Sequence, residues 1–226
     1  MNSQTHLIMG AALFGKPLPR LAWAGAAGGI LPDLPMYVIV AGLRLQGHSL
    51  DRIFGEFYWQ DYWQIANAVG HNLLLWGAVA ATSAWFVTRH RQTQNPNTAH
   101  DGGAAAMIFA FSASALLHSA IDFLCHRDDG HMHFWPLTQW RFRSPVSYWD
   151  PSHYGTAFSL FEAGLGVLIA IVLFRRYANP GIRLALLLCI IAYVAVPLFY
   201  FWSLSSHDHN APVSGLGQAA LSGESA

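Results

Sequence analysis

The chain has 226 residues, of which 54% are hydrophobic and only 11% are charged, and its mean hydropathy is +0.31. A soluble domain carries about 25% charged residues, so this composition predicts a protein that resides in lipid. Twelve lysines and arginines balance twelve aspartates and glutamates, which excludes the basic surface typical of a protein that binds nucleic acid.

Histidine is unusually common, with 12 copies, as many as all the acidic residues together. The two cysteines, Cys125 and Cys189, are far apart and show no CxxC spacing, so a zinc ribbon or a thiol redox motif is not favoured. The first residues contain no basic region, and a cleaved signal peptide is therefore not expected.

The N-terminal third of the chain predicts two interrupted apolar segments. Residues 7–14 are apolar but too few to cross a bilayer, which favours a half-helix or re-entrant segment that ends at a turn over residues 15–20. Residues 21–43 are long enough to span, but Pro32 and Pro35 flank Asp33 in the middle of the segment. Proline removes a helical hydrogen bond, so we expect a broken helix there.

The rest of the chain predicts four cleaner spans, at residues 69–87, 103–124, 155–174 and 184–204. Aromatic side chains crowd residues 50–63, which is typical of a connector at the membrane interface. The long connection at residues 125–154 is also rich in aromatics, which argues for order. The expected fold is an all-α, multi-pass transmembrane helical bundle of about five spans plus a short N-terminal half-helix. One membrane domain covers residues 1–206, and a flexible tail covers residues 207–226.

Basic residues in the short loops give a modest orientation signal. One side would hold seven lysines and arginines and the other side five, together with most of the acids. The richer side is expected to face the cytoplasm of a prokaryotic inner (plasma) membrane. The partner is the lipid bilayer, and no nucleic acid is expected.

A stripe of polar residues lies at the C-terminal end of the apolar segment 103–124. His118, Asp122 and His126 are four residues apart, so they lie above one another on one face of a helix. Imidazole nitrogens and carboxylate oxygens are preferred ligands of a borderline divalent metal such as zinc. His131 and His133 follow in the loop. A stripe of this kind at the end of a membrane helix is costly and indicates a function.

Other polar residues fall at a similar depth, because a helix rises about 1.5 Å per residue. On this count Asp33, His71, His118 and Asp122 lie in the outer half of the membrane, and His6 reaches it if its segment is helical. Each of these residues also has a structural explanation. A lone histidine can form a hydrogen bond between helices, and Asp33 can accept hydrogen bonds from the backbone N–H groups freed at a kink. His118 with Asp122 is harder to explain structurally, because a buried carboxylate needs a cation or donors.

Several short motifs carry a resemblance to a known family. They comprise Thr5-His6-Leu7, Leu31-Pro32-Asp33, Gly70-His71-Asn72-Leu73, the run from Leu117 to Asp122, and Trp135-Pro136 followed by the run from Trp140 to Pro145. Over roughly residues 5–145 the chain resembles the YdjM-like family of predicted membrane-bound, metal-dependent hydrolases. The resemblance implies a divalent metal.

The chain departs from that family at two positions. Pro35 stands where the family usually has a second acid, and Ile65, Ala66 and Asn67 stand where it usually has an additional histidine. If both lost groups were ligands, a single-metal site is favoured over a two-metal site, and loss of activity is a further alternative.

The main functional hypothesis is a membrane-bound, metal-dependent hydrolase. A divalent ion, most plausibly zinc, would activate a water molecule. That water would attack an amphiphilic, lipid-like or lipid-linked ester or phosphoester. The expected ligands are drawn from His6, Asp33, His71, His118 and Asp122, and Asp33 and Asp122 are the expected catalytic carboxylates. Arg141 and Arg143 are expected to bind an anionic group of the substrate. His126, His131 and His133 would surround the site or line its mouth. The alternatives are a metal-ion or proton-coupled transport protein, and an inactive structural protein of the same scaffold.

Overall fold

The protein is all-helical in the computed structural model, which describes residues 1–14, 18–93 and 103–208 and contains no strand within them. The helices are α1 (Ser3–Phe14), α2 (Pro19–Ile30), α3 (Leu34–Leu45), α4 (Leu50–Gly55), α5 (Asp61–Gly70), α6 (Leu73–Thr93), α7 (Gly103–Cys125), α8 (Gly155–Arg176) and α9 (Pro180–Asp208). The predicted all-α fold class is therefore confirmed, and α1 is the predicted N-terminal half-helix.

Four segments of the described chain are long and apolar enough to cross a membrane: Pro19–Leu45, Gly103–Cys125, Gly155–Arg176 and Pro180–Leu198. The multi-pass architecture is thus confirmed, with a span count close to the predicted five. The predicted tail begins at residue 207, and residues 209–226 lie outside the described part of the chain.

The predicted span at residues 69–87 is divided in the structure. Helix α5 ends at Gly70, and α6 begins at Leu73. Asn72 accounts for the new start, because its Oδ1 accepts a hydrogen bond from the backbone N–H of Leu75 at 2.9 Å, as an N-cap residue does. The 21 residues of α6 rise about 31 Å, close to the thickness of a bilayer core. His71 therefore lies at a junction between two helices and not within one.

The first long segment is broken as expected. A single 3₁₀ turn, Leu31–Asp33, separates α2 from α3. Pro32 and Pro35 both lack a backbone N–H, so a continuous α-helix cannot keep its hydrogen bonds through this region. The turn predicted at residues 15–20 lies partly outside the described residues, and α2 begins with Pro19 in its first turn, where proline is well tolerated.

Helix α1 is central to the packing, because it contacts α2, α7 and α8, while α2 packs on α7 and α7 on α6. Gly10 and Gly25 allow the backbones of α1 and α2 to touch, since a Cβ on either would overlap the carbonyl oxygen of the other. A buried apolar cluster joins Ile8 of α1 to Leu173 of α8 and Leu186 of α9. The half-helix is thus held inside the bundle.

The aromatic connector is more than a surface segment. Ile53 and Trp63 are completely buried and pack with Leu43, whereas Trp59 and Tyr62 are about half exposed, at 51% and 52%. The connector therefore forms a small apolar core of its own over one end of α3.

The long loop between α7 and α8 folds back over the ends of the helices. The backbone N–H of Ser144 donates to the carbonyl oxygen of His126 at 3.2 Å, and that of Tyr148 donates to the carbonyl oxygen of Cys125 at 2.9 Å. The N–H of Leu73 donates to the carbonyl oxygen of His133 at 3.0 Å. These bonds bring the loop histidines next to the junction that contains His71.

Candidate metal centre

Four buried side chains converge where α7, the 3₁₀ turn and the α5–α6 junction meet. Asp33, His71, His118 and Asp122 each offer one ligand atom, and these atoms all lie within 4.8 Å of one another. The sequence predicted all four as ligands from their residue types, the helical spacing of His118 and Asp122, the depth count and the family resemblance. All four residues are buried.

The separations between these atoms match those expected around a metal ion. His71 Nε2 lies 3.4 Å from Asp122 Oδ2 and 3.5 Å from Asp33 Oδ1. His118 Nε2 lies 3.0 Å from Asp122 Oδ2 and 3.5 Å from Asp33 Oδ1. Ligands at about 2.1 Å in a tetrahedral arrangement are about 3.4 Å apart. These four separations therefore fit a bound metal ion.

Hydrogen bonds at the other nitrogens orient both imidazoles. His118 Nδ1 donates to the carbonyl oxygen of Gly29 at 2.6 Å, and His71 Nδ1 donates to the carbonyl oxygen of Asn67 at 3.0 Å. A neutral ring that donates through Nδ1 carries its lone pair on Nε2. Neither Nε2 atom has a hydrogen-bond partner among the described residues. Two lone pairs thus face two carboxylates, an arrangement that a cation would stabilise.

Asp122 is held so that one oxygen faces donors and the other faces the imidazoles. Its Oδ1 lies 3.0 Å from His6 Nε2 and 2.7 Å from the amino group of Met1. The ring of His6 stacks on that of His118, with centroids 3.6 Å apart. The structure therefore places His6, which the sequence grouped with the ligands, behind Asp122 rather than within the set of four.

Asp33 is the more accessible of the two carboxylates. Its side chain is 12% exposed, against 2% for Asp122. Ser3 Oγ donates to Asp33 Oδ2, and Tyr37 Oη donates in turn to Ser3 Oγ at 2.7 Å. This chain of hydroxyl groups fixes one oxygen of Asp33 and leaves the other directed at His71 and His118.

The loop histidines adjoin the same centre. Asp122, His126 and His131 form a second group whose ligand atoms lie within 4.8 Å of one another. The ring of His131 stacks on that of His71 with centroids 3.9 Å apart, and His133 lies at 6.3 Å from His71 on another side. The sequence placed these residues around the site or at its mouth, and all three are buried in the structure.

Burial and neighbouring side chains together shift the pKa values of the loop groups. It lowers the pKa of His133 to about 4 and the pKa of His131 well below its usual value, with the neighbouring histidines acting in the same direction. Burial alone would raise the pKa of Asp129, but His126 beside it brings that pKa below its usual value. At neutral pH His131 and His133 are therefore neutral and Asp129 is ionised, and these are the forms that bind metals.

A cavity of about 550 Å³ opens beside the centre. Its walls include Asp33, His71, Asp122 and the loop residues Asp129 and His131. Exposed aromatic side chains also line it: Phe54, Trp59 and Trp149. We call these three aromatic side chains the aromatic rim. A cavity with polar side chains on one wall and an aromatic rim is suited to a ligand that has a polar head and an apolar tail.

The two arginines expected to bind substrate do not line this cavity. Arg141 donates to Gln64 Oε1 at 2.7 Å and to the carbonyl oxygen of Gly130 at 2.8 Å. Arg143 is 65% exposed and pairs with Asp128 at 2.5 Å. Arg141 therefore joins the loop to α5, and the structure does not bring either guanidinium to the four ligands.

Sequence reasoning missed Glu162, a buried acid in α8. Its Oε1 accepts from the backbone N–H of Asn2 and from Thr5 Oγ1, both at 2.7 Å, and its Oε2 accepts from Asn2 Nδ2 at 2.9 Å. A single acid in an otherwise apolar span is the signal that could have found it. Glu162 fixes the start of α1, and hence Ser3 and His6.

Comparison with protein families gives a match over most of the chain. A family model described as YdjM inner membrane protein matches residues 1–204. No curated protein and no solved structure matches the chain. The matched region includes α8 and most of α9, where the sequence motifs carried no resemblance.

Proposed function

The chain belongs to the YdjM inner membrane protein family, and we propose that it is a metal-dependent hydrolase of this membrane that acts on an amphiphilic ester or phosphoester. The observation that carries the proposal is the convergence of Asp33, His71, His118 and Asp122 beside an open cavity. The fit of their spacing to a tetrahedral shell supports zinc as the ion.

The protein groups have separate tasks in this proposal. His71, His118 and Asp122 hold the ion, because their side chains are at most 2% exposed and their remaining polar atoms have protein partners that fix their orientation. A bound divalent ion would act as a Lewis acid that lowers the pKa of water to about 7 and polarises the scissile group.

Asp33 is the proposed general base. It lines the cavity, and its exposure is greater than that of Asp122. A carboxylate at hydrogen-bond distance from a cavity water can accept its proton as the water attacks. Ser3 holds the other oxygen of Asp33, so the accepting oxygen keeps one direction. Asp122 is the less suitable base because it faces six neighbouring polar atoms within 3.7 Å.

The aromatic rim supports an amphiphilic substrate. Trp59 and Trp149 are 51% and 57% exposed at the edge of the cavity. Tryptophan favours the membrane interface, where one end of a lipid is apolar and the other is hydrated. The head of such a molecule would reach Asp33 while its chains remain against the rim and the bilayer.

The experiment is a metal and activity measurement on protein purified in detergent. Mixed micelles would present fluorogenic alkyl esters and alkyl phosphoesters, with and without chelation and restoration by Zn²⁺. We expect hydrolysis that chelation abolishes and zinc restores, and its loss in His118→Ala but not in the control His48→Ala, whose ring lies in the connector against Phe57. Metal-free protein, or hydrolysis that neither chelation nor His118→Ala changes, would contradict the proposal.

A further inference from the structure

Two sets of metal-binding side chains meet at one carboxylate. The first set is Asp33, His71, His118 and Asp122, and the second is Asp122, His126 and His131. Only Asp122 belongs to both. His71, His118 and Asp122 are the proposed ligands of the first ion and Asp33 is the proposed base, so one ion in the first set leaves the two loop histidines, His126 and His131, without a metal.

The geometry of Asp122 is suited to bridging. Three imidazole nitrogens approach its Oδ2 from different segments: His118 Nε2 at 3.0 Å, His71 Nε2 at 3.4 Å and His126 Nε2 at 3.7 Å. The other oxygen faces His6 and the amino group of Met1. The oxygen Oδ2 therefore faces imidazoles of both sets, as in centres where one acid joins two ions.

His126 is oriented by an acid of the same loop. Its Nδ1 lies 2.9 Å from Asp129 Oδ2, and Trp149 Nε1 donates to that same oxygen at 3.2 Å. Metal-binding histidines commonly have a carboxylate at the nitrogen that does not bind the metal, which fixes the ring and raises its basicity. Asp129 therefore lies beside Nδ1 of His126, while Nε2 of the same ring faces Asp122.

His131 supplies the remaining ligand. The residue is 6% exposed, lines the cavity, and has an Nδ1 atom with no hydrogen-bond partner among the described residues. A buried imidazole nitrogen without a partner destabilises the folded protein. The ring of His131 stacks on that of His71, so it adjoins the first set at the wall of the cavity. A cation at this position would satisfy the nitrogen.

We propose that Asp122, His126 and His131 hold a second divalent ion, with Asp122 bridging a two-metal centre. This inference rests on the proposed function, because the first ion is the one proposed above. The departures at Pro35 and Ala66 favoured one ion on sequence grounds, but the loop supplies two histidines in their place. Paired ions about 3.5–4 Å apart are typical of phosphoester hydrolysis, in which both attacking and leaving oxygens are stabilised.

The two-ion centre also specifies the substrate class. No lysine or arginine side chain is among the described residues that line the cavity, so a phosphate group would find its counter-charge mainly in the ions. We therefore assign an amphiphilic phosphoester, in preference to a carboxylic ester, as the substrate.

The test uses the full chain, stripped of metal and reloaded with Mn²⁺, with ion content measured by mass spectrometry and coupling by electron paramagnetic resonance. We expect two Mn²⁺ per chain with an exchange-coupled spectrum. His131→Ala and His126→Ala should each retain one uncoupled ion. His153→Ala is the matched control, because this loop histidine pairs with Asp150 outside the cavity, and it should keep two.

The outcomes separate the two proposals. One uncoupled ion in the unaltered chain, unchanged by His131→Ala, would overturn the second site and leave the proposed hydrolase intact. No bound ion in the unaltered chain would overturn both. The spectrum of the unaltered chain decides the question even if a variant fails to fold.

Discussion

The carbonyl oxygen of Gly29 accepts a hydrogen bond from His118 Nδ1 at 2.6 Å. This bond joins the last turn of α2 to the metal-binding face of α7. A Cβ on Gly29 would overlap the carbonyl oxygen of His6, so the same residue also sets how closely α1 approaches. One glycine therefore positions a ligand and the histidine that stacks on it.

Gly29→Ala is accordingly expected to damage both stability and metal binding. Overpacking a close contact typically costs about 1–3 kcal/mol, and a shift of α2 would move the carbonyl group away from His118. Thermal unfolding in detergent and zinc titration would measure the two effects. Gly77→Ala in α6 is the control, because nothing lies within 4 Å of its added Cβ. Equal behaviour of the two variants would contradict this role of Gly29.

Glu162→Gln is expected to loosen the start of α1. Glutamine keeps the shape of the side chain but replaces one acceptor oxygen by an NH₂ donor. Both the backbone N–H and the side-chain NH₂ of Asn2 need an acceptor at this position, so one of these hydrogen bonds is lost. Hydrogen bonds to charged groups contribute about 1.5–3 kcal/mol, so we expect a loss of about 2 kcal/mol and a lower Tm. Glu56→Gln is the matched control, since Glu56 is 62% exposed and pairs with Arg52 at the surface, where an ion pair contributes little. An unchanged Tm in Glu162→Gln would show that the contacts with Asn2 and Thr5 are not needed.

Asp129→Asn tests the orientation of His126 without removing a ligand. Loss of a carboxylate behind a metal-binding histidine typically weakens metal affinity by about 10–100-fold. We expect the affinity for the second ion to fall by this factor, while that for the first ion is retained. Asp128→Asn is the control, because the neighbouring carboxylate pairs with Arg143 on the surface. A uniform loss of both ions in Asp129→Asn would indicate a general disruption of the loop.

Trp59→Ala tests the aromatic rim. The side chain is half exposed at the cavity edge, so its loss should leave the centre intact and reduce contact with the apolar part of the substrate. We expect KM for long-chain phosphoesters to rise several-fold, with kcat and metal content unchanged. Trp85→Ala is the control, because Trp85 is equally exposed on α6 but does not line the cavity. A similar rise with short-chain substrates would argue against a chain-binding rim.

Much of the site could be predicted from the sequence, because the regular rise of a helix allows the depth of a residue in the membrane to be estimated from its position. His118 and Asp122 are one turn apart on α7, and a count of residues placed Asp33 and His71 at the same level. The break at Asp33 was also readable, since proline on both sides excludes a continuous helix. The all-α, multi-pass fold followed from apolar segments of sufficient length.

The loop could not be predicted in the same way, because residues 126–150 have no helical period that fixes their direction. The approach of His131 to His71 depends on contacts such as that of Leu73 N–H with the carbonyl oxygen of His133, which no spacing encodes. The junction at His71 was missed because its apolar flanks resemble one continuous span. Asn72 was the available signal, since asparagine favours the start of a helix.

X-ray absorption at the zinc edge of the metal-loaded protein tests the central claim most directly. The structure predicts a shell of nitrogen and oxygen ligands at about 2.0–2.2 Å with the multiple scattering of imidazole rings, which His118→Ala should weaken and His48→Ala should not. A shell that contains sulfur at about 2.3 Å, from Cys125 near Asp122, or a shell without imidazole, would contradict the proposed centre.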